Sequence, residues 1–214
     1  MEEILPRLQA TRPLDLGFGR VPLQARTFVL QRHSGNIAVY GPAPLEPELD
    51  AVLALGGVTA QYVNHVHELS APAPRVREAL GATLHVHAAD ADGQPVDATF
   101  DTRHLVGDDF EVIPTPGHTP GATAFLWRTP EHRVLFTGDT VFVRDGEWVA
   151  AFLDDVSDRP SYLESLELLA GLEFDVLAPG IAPVDQPPVA FTDPQDARER
   201  LGRIADRLRA GRDQ

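Results

Sequence analysis

Short apolar runs alternate with amphipathic stretches along the chain, and turn-forming residues separate them. Two of these runs, residues 27–30 and 37–40, predict paired strands because Ser-Gly-Asn at residues 34–36 favours a turn between them. Residues 46–55 then carry apolar side chains at helical spacing, and the Gly-Gly pair that follows predicts the end of that helix. The first quarter of the chain therefore predicts a strand hairpin followed by a helix.

The same alternation continues downstream. A strand at residues 61–64 leads directly into His65, and a helix at residues 74–80 precedes a strand at residues 83–88. The order strand, helix, strand favours a protein that combines a sheet with helices. The later predicted elements are a strand at 111–113, a hairpin of 122–127 with 133–136, a helix at 160–169, a strand at 175–178 and a C-terminal helix at 194–209. Only short loops separate them, which favours a single domain over residues 1–214.

Charge and composition narrow the classes of function. The 214 residues include 32 acidic and 18 basic side chains, for a net charge of −14, and every basic residue is Arg. So acidic a chain repels phosphate backbones, and we expect no nucleic-acid partner. The absence of Cys and Lys excludes disulfides, thiolate ligands, Schiff bases and the Lys of a phosphate-binding loop. We also expect a cytoplasmic protein without a membrane partner, because no stretch approaches the roughly 20 apolar residues of a membrane span.

Histidines mark the first candidate site. His65-Val66-His67 lies at the end of a predicted strand, where an extended backbone would point both imidazoles to one side. Two imidazoles on one face are the minimum beginning of a metal site. A second such pair, His85 and His87, lies in the next predicted strand, so the spacing alone has little specificity. We expect structural roles for the second pair.

Two further motifs are more specific. Residues 115–121 read Thr-Pro-Gly-His-Thr-Pro-Gly, in which two Pro-Gly steps hold His118 on a rigid turn. Such rigidity suits a metal ligand that must be presented at a fixed angle. An apolar strand then ends at Gly138-Asp139, and a carboxylate at the carboxyl end of a strand is well placed to line a crevice.

In this order and spacing, the motifs resemble those of the metallo-β-lactamase superfamily, including its hydroxyacylglutathione hydrolase (glyoxalase II) and persulfide dioxygenase branches. The resemblance runs from about residue 27 to residue 180. It implies an α+β fold, the four-layer αββα sandwich, with the site at one edge. It also implies that His65, His67 and His118 bind one divalent metal and that Asp139 is adjacent to that metal or ligates it.

The chain departs from the family at positions that would hold a second metal. The family motif His-x-His-x-Asp-His has Leu69 and Ser70 in place of its Asp and last His, and Ile181 stands where a late His is expected. Asp139 alone remains of the second ligand set, so we predict a single metal. Zinc is the expected ion, because three His and a water form an open, catalytic type of site.

The resemblance leaves several functions open. A single metal-bound hydroxide would attack a small ester, thioester or amide, with Asp139 and Glu68 as candidate catalytic carboxylates. For Glu68 we expect a solvated surface position ahead of the catalytic one. His65, His118 and Asp139 would instead suit the iron of a non-haem thiol or persulfide oxygenase. A non-catalytic relative with a decayed site is the third possibility. In the first two cases the partner is a small-molecule substrate, and the oligomeric state is not predicted.

Overall fold

The computed structural model describes residues 1–17, 22–69, 73–184 and 186–212. Its strands are β1 (Glu2–Leu5), β2 (Leu8–Ala10), β3 (Leu14–Asp15), β4 (Leu23–Ala25), β5 (Phe28–Leu30), β6 (Ile37–Val39), β7 (Ala60–Tyr62), β8 (Thr83–His87), β9 (Ala98–Phe100), β10 (His104–Val106), β11 (Phe110–Pro114), β12 (Thr123–Arg128), β13 (Arg133–Gly138), β14 (Phe142–Arg144), β15 (Glu147–Val149), β16 (Val176–Pro179), β17 (Ile181–Pro183) and β18 (Ala190–Phe191). Its helices are α1 (Leu49–Ala54), α2 (Ala73–Leu80), α3 (Arg159–Ala170) and α4 (Pro194–Arg209), with short 3-10 helices at Ala43–Glu48, Val66–Glu68 and Ala88–Asp90.

Two large sheets form the centre of the molecule. The first has the strand order β1-β2-β5-β6-β7-β8-β9, and the second has the order β10-β11-β12-β13-β16-β18. Residues up to Phe100 supply every strand of the first sheet, and residues from His104 onward supply every strand of the second. Two smaller sheets, β14-β15 and β17-β4-β3, complete the described strands.

Alternate residues of the central strands belong to different cores, as the pleat of a strand requires. In β5, Phe28 and Leu30 join the core between the two sheets, whereas Val29 joins a separate core with residues of α1 and α2. In β13, Phe136 joins the core between the sheets, whereas Leu135 packs with residues of α3 and α4. The layers are therefore helix, sheet, sheet, helix, and the αββα sandwich implied by the resemblance is confirmed.

Most predicted elements are present with small shifts of their ends. The C-terminal helix occupies Pro194–Arg209 as predicted, and Asp193 caps it by accepting hydrogen bonds from the backbone N–H groups of Gln195 and Asp196. Helix α3 begins after Asp158, which caps it in the same way.

One predicted helix is wrong in its first half. Residues 46–55 do not form one α-helix, because Ala43–Glu48 is a 3-10 helix and α1 begins only at Leu49. Pro47 lies inside the 3-10 segment, where its missing N–H and its ring disfavour an α-helix. In the part of the chain that the structure describes, no helix combines the length and the apolarity that crossing a bilayer would require.

Candidate metal centre

The candidate ligands converge at one edge of the sandwich. His65 follows β7, His118 lies in the turn between β11 and β12, and Asp139 directly follows β13. His65, His67 and His118 each place one ring nitrogen within 4.8 Å of the other two. A nitrogen of His65 also lies within 4.8 Å of carboxylate oxygens of Glu68 and Asp139, which are equally close to each other. The structure thus brings together all five residues that the sequence marked as candidates.

The reason for the closeness of His65 and His67 differs from the prediction. Strand β7 ends at Tyr62, and only His65 has an extended backbone, with φ −161° and ψ 170°. Val66–Glu68 is a 3-10 turn, so the alternation of side chains along a strand does not apply. The turn folds the chain back and brings the two imidazole centroids to 4.9 Å.

The three imidazoles surround one point from different directions. The centroid of His118 lies 4.7 Å from that of His65 and 5.5 Å from that of His67, and each pair of ring planes crosses at 84° to 89°. His65 and His118 are buried, whereas His67 is exposed. Rings in this arrangement direct nitrogens toward a shared centre and leave one side accessible to solvent.

Hydrogen bonds fix the tautomer of His65. The amide nitrogen of Asn64 donates to the Thr123 carbonyl, which leaves the Asn64 amide oxygen as an acceptor. That oxygen lies 2.7 Å from His65 Nδ1, so Nδ1 carries the proton. Nε2 of His65 therefore presents its lone pair to the cluster. Such support from a neighbouring oxygen is typical of metal-binding histidines.

His118 is held in the same way. Its Nδ1 donates to the carbonyl oxygen of Ala151 at 2.6 Å, because a carbonyl can only accept. Nε2 of His118 and Nε2 of His65 are both buried and lack a hydrogen-bond partner among the residues described. An unpaired buried acceptor is costly, and a divalent metal would satisfy both nitrogens at once. The donor set therefore fits a metal ion.

Asp139 completes the cluster. Its Oδ2 lies 3.6 Å from His65 Nε2 and 3.9 Å from His118 Nε2, which is too long for hydrogen bonds. Ligand atoms of one metal ion lie at such separations, so the carboxylate is within reach of an ion held by the histidines. Burial raises the pKa of Asp139 to about 7, and the electrostatic effect of His67 opposes this increase.

Glu68 faces the site, so the solvated surface position considered for it is wrong. Its side chain is only 12% exposed, and its Oε2 accepts a hydrogen bond of 2.8 Å from the Asn64 backbone N–H. Burial raises the pKa of Glu68 well above its usual value, and the nearby Asp139 raises it further. The 3-10 turn that carries His67 is what rotates this carboxyl inward.

Gly138 is required where Asp139 leaves the sheet. Its φ is +55°, and a Cβ at this position would lie 2.0 Å from the side chain of Asn64. Only glycine combines that backbone conformation with so close a neighbour. Gly138 thereby allows Asn64 to reach both Thr123 and His65.

Asp90 is the functional residue that sequence reasoning missed. Its buried carboxylate accepts hydrogen bonds from the Val66 backbone N–H at 2.9 Å, the Thr119 hydroxyl at 2.8 Å and the Gly121 backbone N–H at 2.9 Å. One side chain therefore ties the turn that carries His67 to the turn that carries His118. The available signal was weak, since an acidic residue in an Ala-Ala-Asp-Ala segment suggests only a cap or a loop.

The positions that depart from the family motif have structural roles. Leu69 packs against a small apolar cluster that contains Val63, Leu84 and Val86, and so contributes no ligand. Ile181 is 8% exposed and packs among apolar residues. Ser70 lies outside the described residues.

The second His pair remains separate from the cluster. His85 and His87 both lie in β8, where His85 stacks on Tyr62 with centroids 4.6 Å apart. Nδ1 of His87 accepts a hydrogen bond from the Ala89 backbone N–H. These contacts agree with the structural roles expected for the pair.

Comparisons with known proteins identify the family. The sequence model of the metallo-beta-lactamase superfamily matches residues 29–181, more than half of the chain. The protein therefore belongs to the metallo-beta-lactamase superfamily. A hydroxyacylglutathione hydrolase of Acidiphilium cryptum (strain JF-5) is 32% identical over 134 residues, which cover 58% of this chain and 52% of that protein. The chain thus spans about half the length of this relative.

Solved structures share the fold at lower identity. The crystal structure of ETHE1 from Myxococcus xanthus has a TM-score of 0.66 at 21% identity, over 95% of this chain and 88% of the other. A metallo-beta-lactamase from Pontibacter korlensis has a TM-score of 0.73 at 16% identity, over 97% of each chain. At these identities the likeness concerns the fold alone.

Proposed function

We propose that the protein is a hydrolase that uses one divalent metal, zinc, to cleave a small ester, thioester or amide. The observation that carries the proposal is the pair of buried, unpartnered Nε2 atoms of His65 and His118, with His67 beside them. Three imidazoles leave one position open for water or substrate, as in catalytic zinc sites. The relative from Acidiphilium cryptum is a hydroxyacylglutathione hydrolase, so thioesters are the first substrates to test.

The residues of the site have different roles in the proposed hydrolysis. His65, His67 and His118 would hold the metal, which would acidify a water molecule and polarise the carbonyl of the substrate. Asp139 places Oδ2 3.6 Å from His65 Nε2, where it can orient that water and accept its proton. Glu68 lies beside the Asp139 carboxyl and is the second proton acceptor. His67, the exposed ligand, faces the side from which substrate arrives.

A specific observation favours a second candidate, an iron-dependent thiol or persulfide oxygenase. The two buried histidine nitrogens are both near Oδ2 of Asp139, whereas the third imidazole, His67, is exposed. His65, His118 and Asp139 therefore form a 2-His-1-carboxylate set of the kind that binds non-haem iron. Of the two candidates, the hydrolase uses all three imidazoles of the cluster.

Metal analysis with two activity assays separates the candidates. The purified protein is analysed for bound metal, then assayed for hydrolysis of acyl thioesters and for oxygen uptake with a thiol or persulfide. We expect close to one zinc per chain and thioester hydrolysis. His118→Ala should remove both, because it deletes one buried ligand, whereas the exposed His33→Ala should change neither.

Each outcome has a clear meaning. Bound iron with oxygen uptake contradicts the hydrolase and supports the oxygenase. A protein that retains no metal, and binds neither zinc nor iron on titration, contradicts both enzymes and leaves the non-catalytic relative. Hydrolysis that persists in His118→Ala at the wild-type rate contradicts the assigned site.

A further inference from the structure

A cavity of about 190 Å³ adjoins the metal-binding cluster. His65, His67, Glu68 and Asp139 contribute to its lining. The greater part of its remaining lining is apolar and comes from Leu14, Leu16, Ala25, Ala43, Pro44 and Ile181. Arg26, which also contributes to the lining, donates a hydrogen bond from its guanidinium to the Thr11 carbonyl. A molecule that reacts at the histidine cluster would therefore extend along an apolar wall.

The small sheet β17-β4-β3 supplies three of these six apolar residues. Ile181 of β17 pairs with Ala25 of β4, and Ala25 pairs in turn with Leu14 of β3. Ile181 also packs with Phe142 and Val149, so its position is fixed from behind. Three hydrogen-bonded strands therefore hold this part of the wall in place.

The volume of the cavity limits what it can hold. At about 190 Å³ it is a small cavity. Sites for drug-sized ligands measure about 300–1,000 Å³, which is distinctly larger. The cavity suits one end of a substrate, and a bulky leaving group would remain outside it.

We propose that this cavity is an acyl pocket that selects short aliphatic acyl groups over long ones. The proposal rests on the proposed function, because it names the substrate class of the same site. Ile181 is the specificity-determining residue. It places an aliphatic side chain where the resemblance implies a metal-binding histidine, so this position offers no hydrogen bond to a hydroxyl on the acyl chain.

Binding of primary alcohols tests the pocket without requiring a metal. These uncharged probes would bind by burying their methylene groups against the apolar wall. Ethanol, butanol, hexanol and octanol are titrated into the protein, and methyl chemical shifts report the affinity and the place of binding. We expect the affinity to rise by about fourfold per methylene until the pocket is full, and then to stop rising. The responding methyl groups should include those of Leu16 and Ile181.

Two variants should change, in opposite directions, the chain length at which the alcohol affinity stops rising. Ile181→Ala enlarges the pocket, so the affinity should continue to rise for about two further carbons. Ala25→Val fills the pocket from the neighbouring strand β4 and should lower the affinity for butanol about tenfold or more. Ala182→Val is the matched control, because Ala182 is the next residue of β17 but does not line this cavity.

Hydrolysis of p-nitrophenyl acetate, butyrate, hexanoate and octanoate should show the same limit in kcat/KM. An alcohol affinity that rises steadily through octanol in the wild-type protein overturns the proposal. So does a limit that Ile181→Ala and Ala25→Val leave unchanged. If the protein hydrolyses neither these esters nor acyl thioesters while the alcohol limit and its shifts are present, the proposed function fails and the acyl pocket stands.

Discussion

Asp90 shows how one buried side chain can organise a site that it does not line. Its Oδ2 accepts from both the Val66 backbone N–H and the Thr119 hydroxyl, while its Oδ1 accepts from the Gly121 backbone N–H. An amide in its place can supply only one accepting oxygen. In Asp90→Asn at least one of these donors must therefore face an NH₂ group.

We accordingly expect Asp90→Asn to weaken metal binding by about 10- to 100-fold, as loss of supporting hydrogen bonds around metal ligands does. It should also lower the free energy of unfolding by roughly 1–3 kcal/mol. Zinc titration and urea denaturation measure the two effects. The exposed Asp92→Asn is the control and should change neither. Unchanged zinc affinity in Asp90→Asn would show that the two turns hold their positions without it.

Ionisation of the buried Asp139 carboxyl makes the stability of the metal-free protein depend on pH. Burial raises its pKa to about 7, whereas the unfolded chain ionises near pH 4. The folded state therefore binds more protons between these values, and its stability falls as pH rises from about 4 to about 7. Above that range the loss is complete and constant.

Asp139→Asn cannot ionise, so it should stabilise the metal-free protein most at high pH. We expect its gain in unfolding free energy to be about 2–3 kcal/mol larger at pH 8 than at pH 5. Urea denaturation in the presence of a chelator at both pH values measures the difference. Asp154→Asn, at an exposed position, should show no such dependence. An equal effect at both pH values would mean that the Asp139 carboxyl is hydrated when folded.

At the scale of elements, glycines decide where the strands may end. Gly138 and Gly146 both have positive φ, +55° and +79°, but only Gly138 has a close neighbour, Asn64. Gly146→Ala should lower the free energy of unfolding by about 1 kcal/mol, which is the strain of the left-handed conformation alone. Gly138→Ala should cost several times more and should abolish metal binding, because Asn64 must move away from His65. Thermal denaturation and zinc titration compare the pair. Equal losses of stability in the two variants would contradict the steric role given to Gly138.

The longest elements with a regular pattern of buried apolar residues were predictable from the sequence. Helix α4 is the best example, since Ala197, Leu201, Ile204 and Leu208 are all buried as their spacing requires. The strands β1, β3 and β18 escaped prediction because each is short and buries few side chains. Their pairing is a property of the assembled sheets, which a local pattern does not encode.

The candidate site was predictable only as a set of residues. His118 and Asp139 stand out through the turn and strand-end motifs around them. The inward position of Glu68 and the connecting role of Asp90 depend on a 3-10 turn and on contacts between residues 24 to 31 positions apart. Such contacts leave no periodic signal in the sequence.

At the scale of the whole molecule, two outer cores flank the core between the sheets. Leu201 lies in the core formed with α3 and α4, and Val52 lies in the opposite core with α2. Leu201→Ala should lower the free energy of unfolding by about 2–5 kcal/mol, and Val52→Ala should lower it by roughly 1–3 kcal/mol. The double variant should lose the sum within about 0.5 kcal/mol, in one cooperative transition. Urea denaturation followed by two spectroscopic probes measures this. Two separate transitions would contradict the single domain predicted for residues 1–214.

The division of the two large sheets at residues 101–103 makes the protein a candidate for fragment complementation. Residues 1–100 contain the strands of one sheet and residues 104–212 those of the other, so a cut between Phe100 and His104 severs no strand. His65 and His67 lie in the first fragment, whereas His118 and Asp139 lie in the second. Neither fragment holds the full ligand set, so recovery of metal binding on mixing would report that the two halves have assembled.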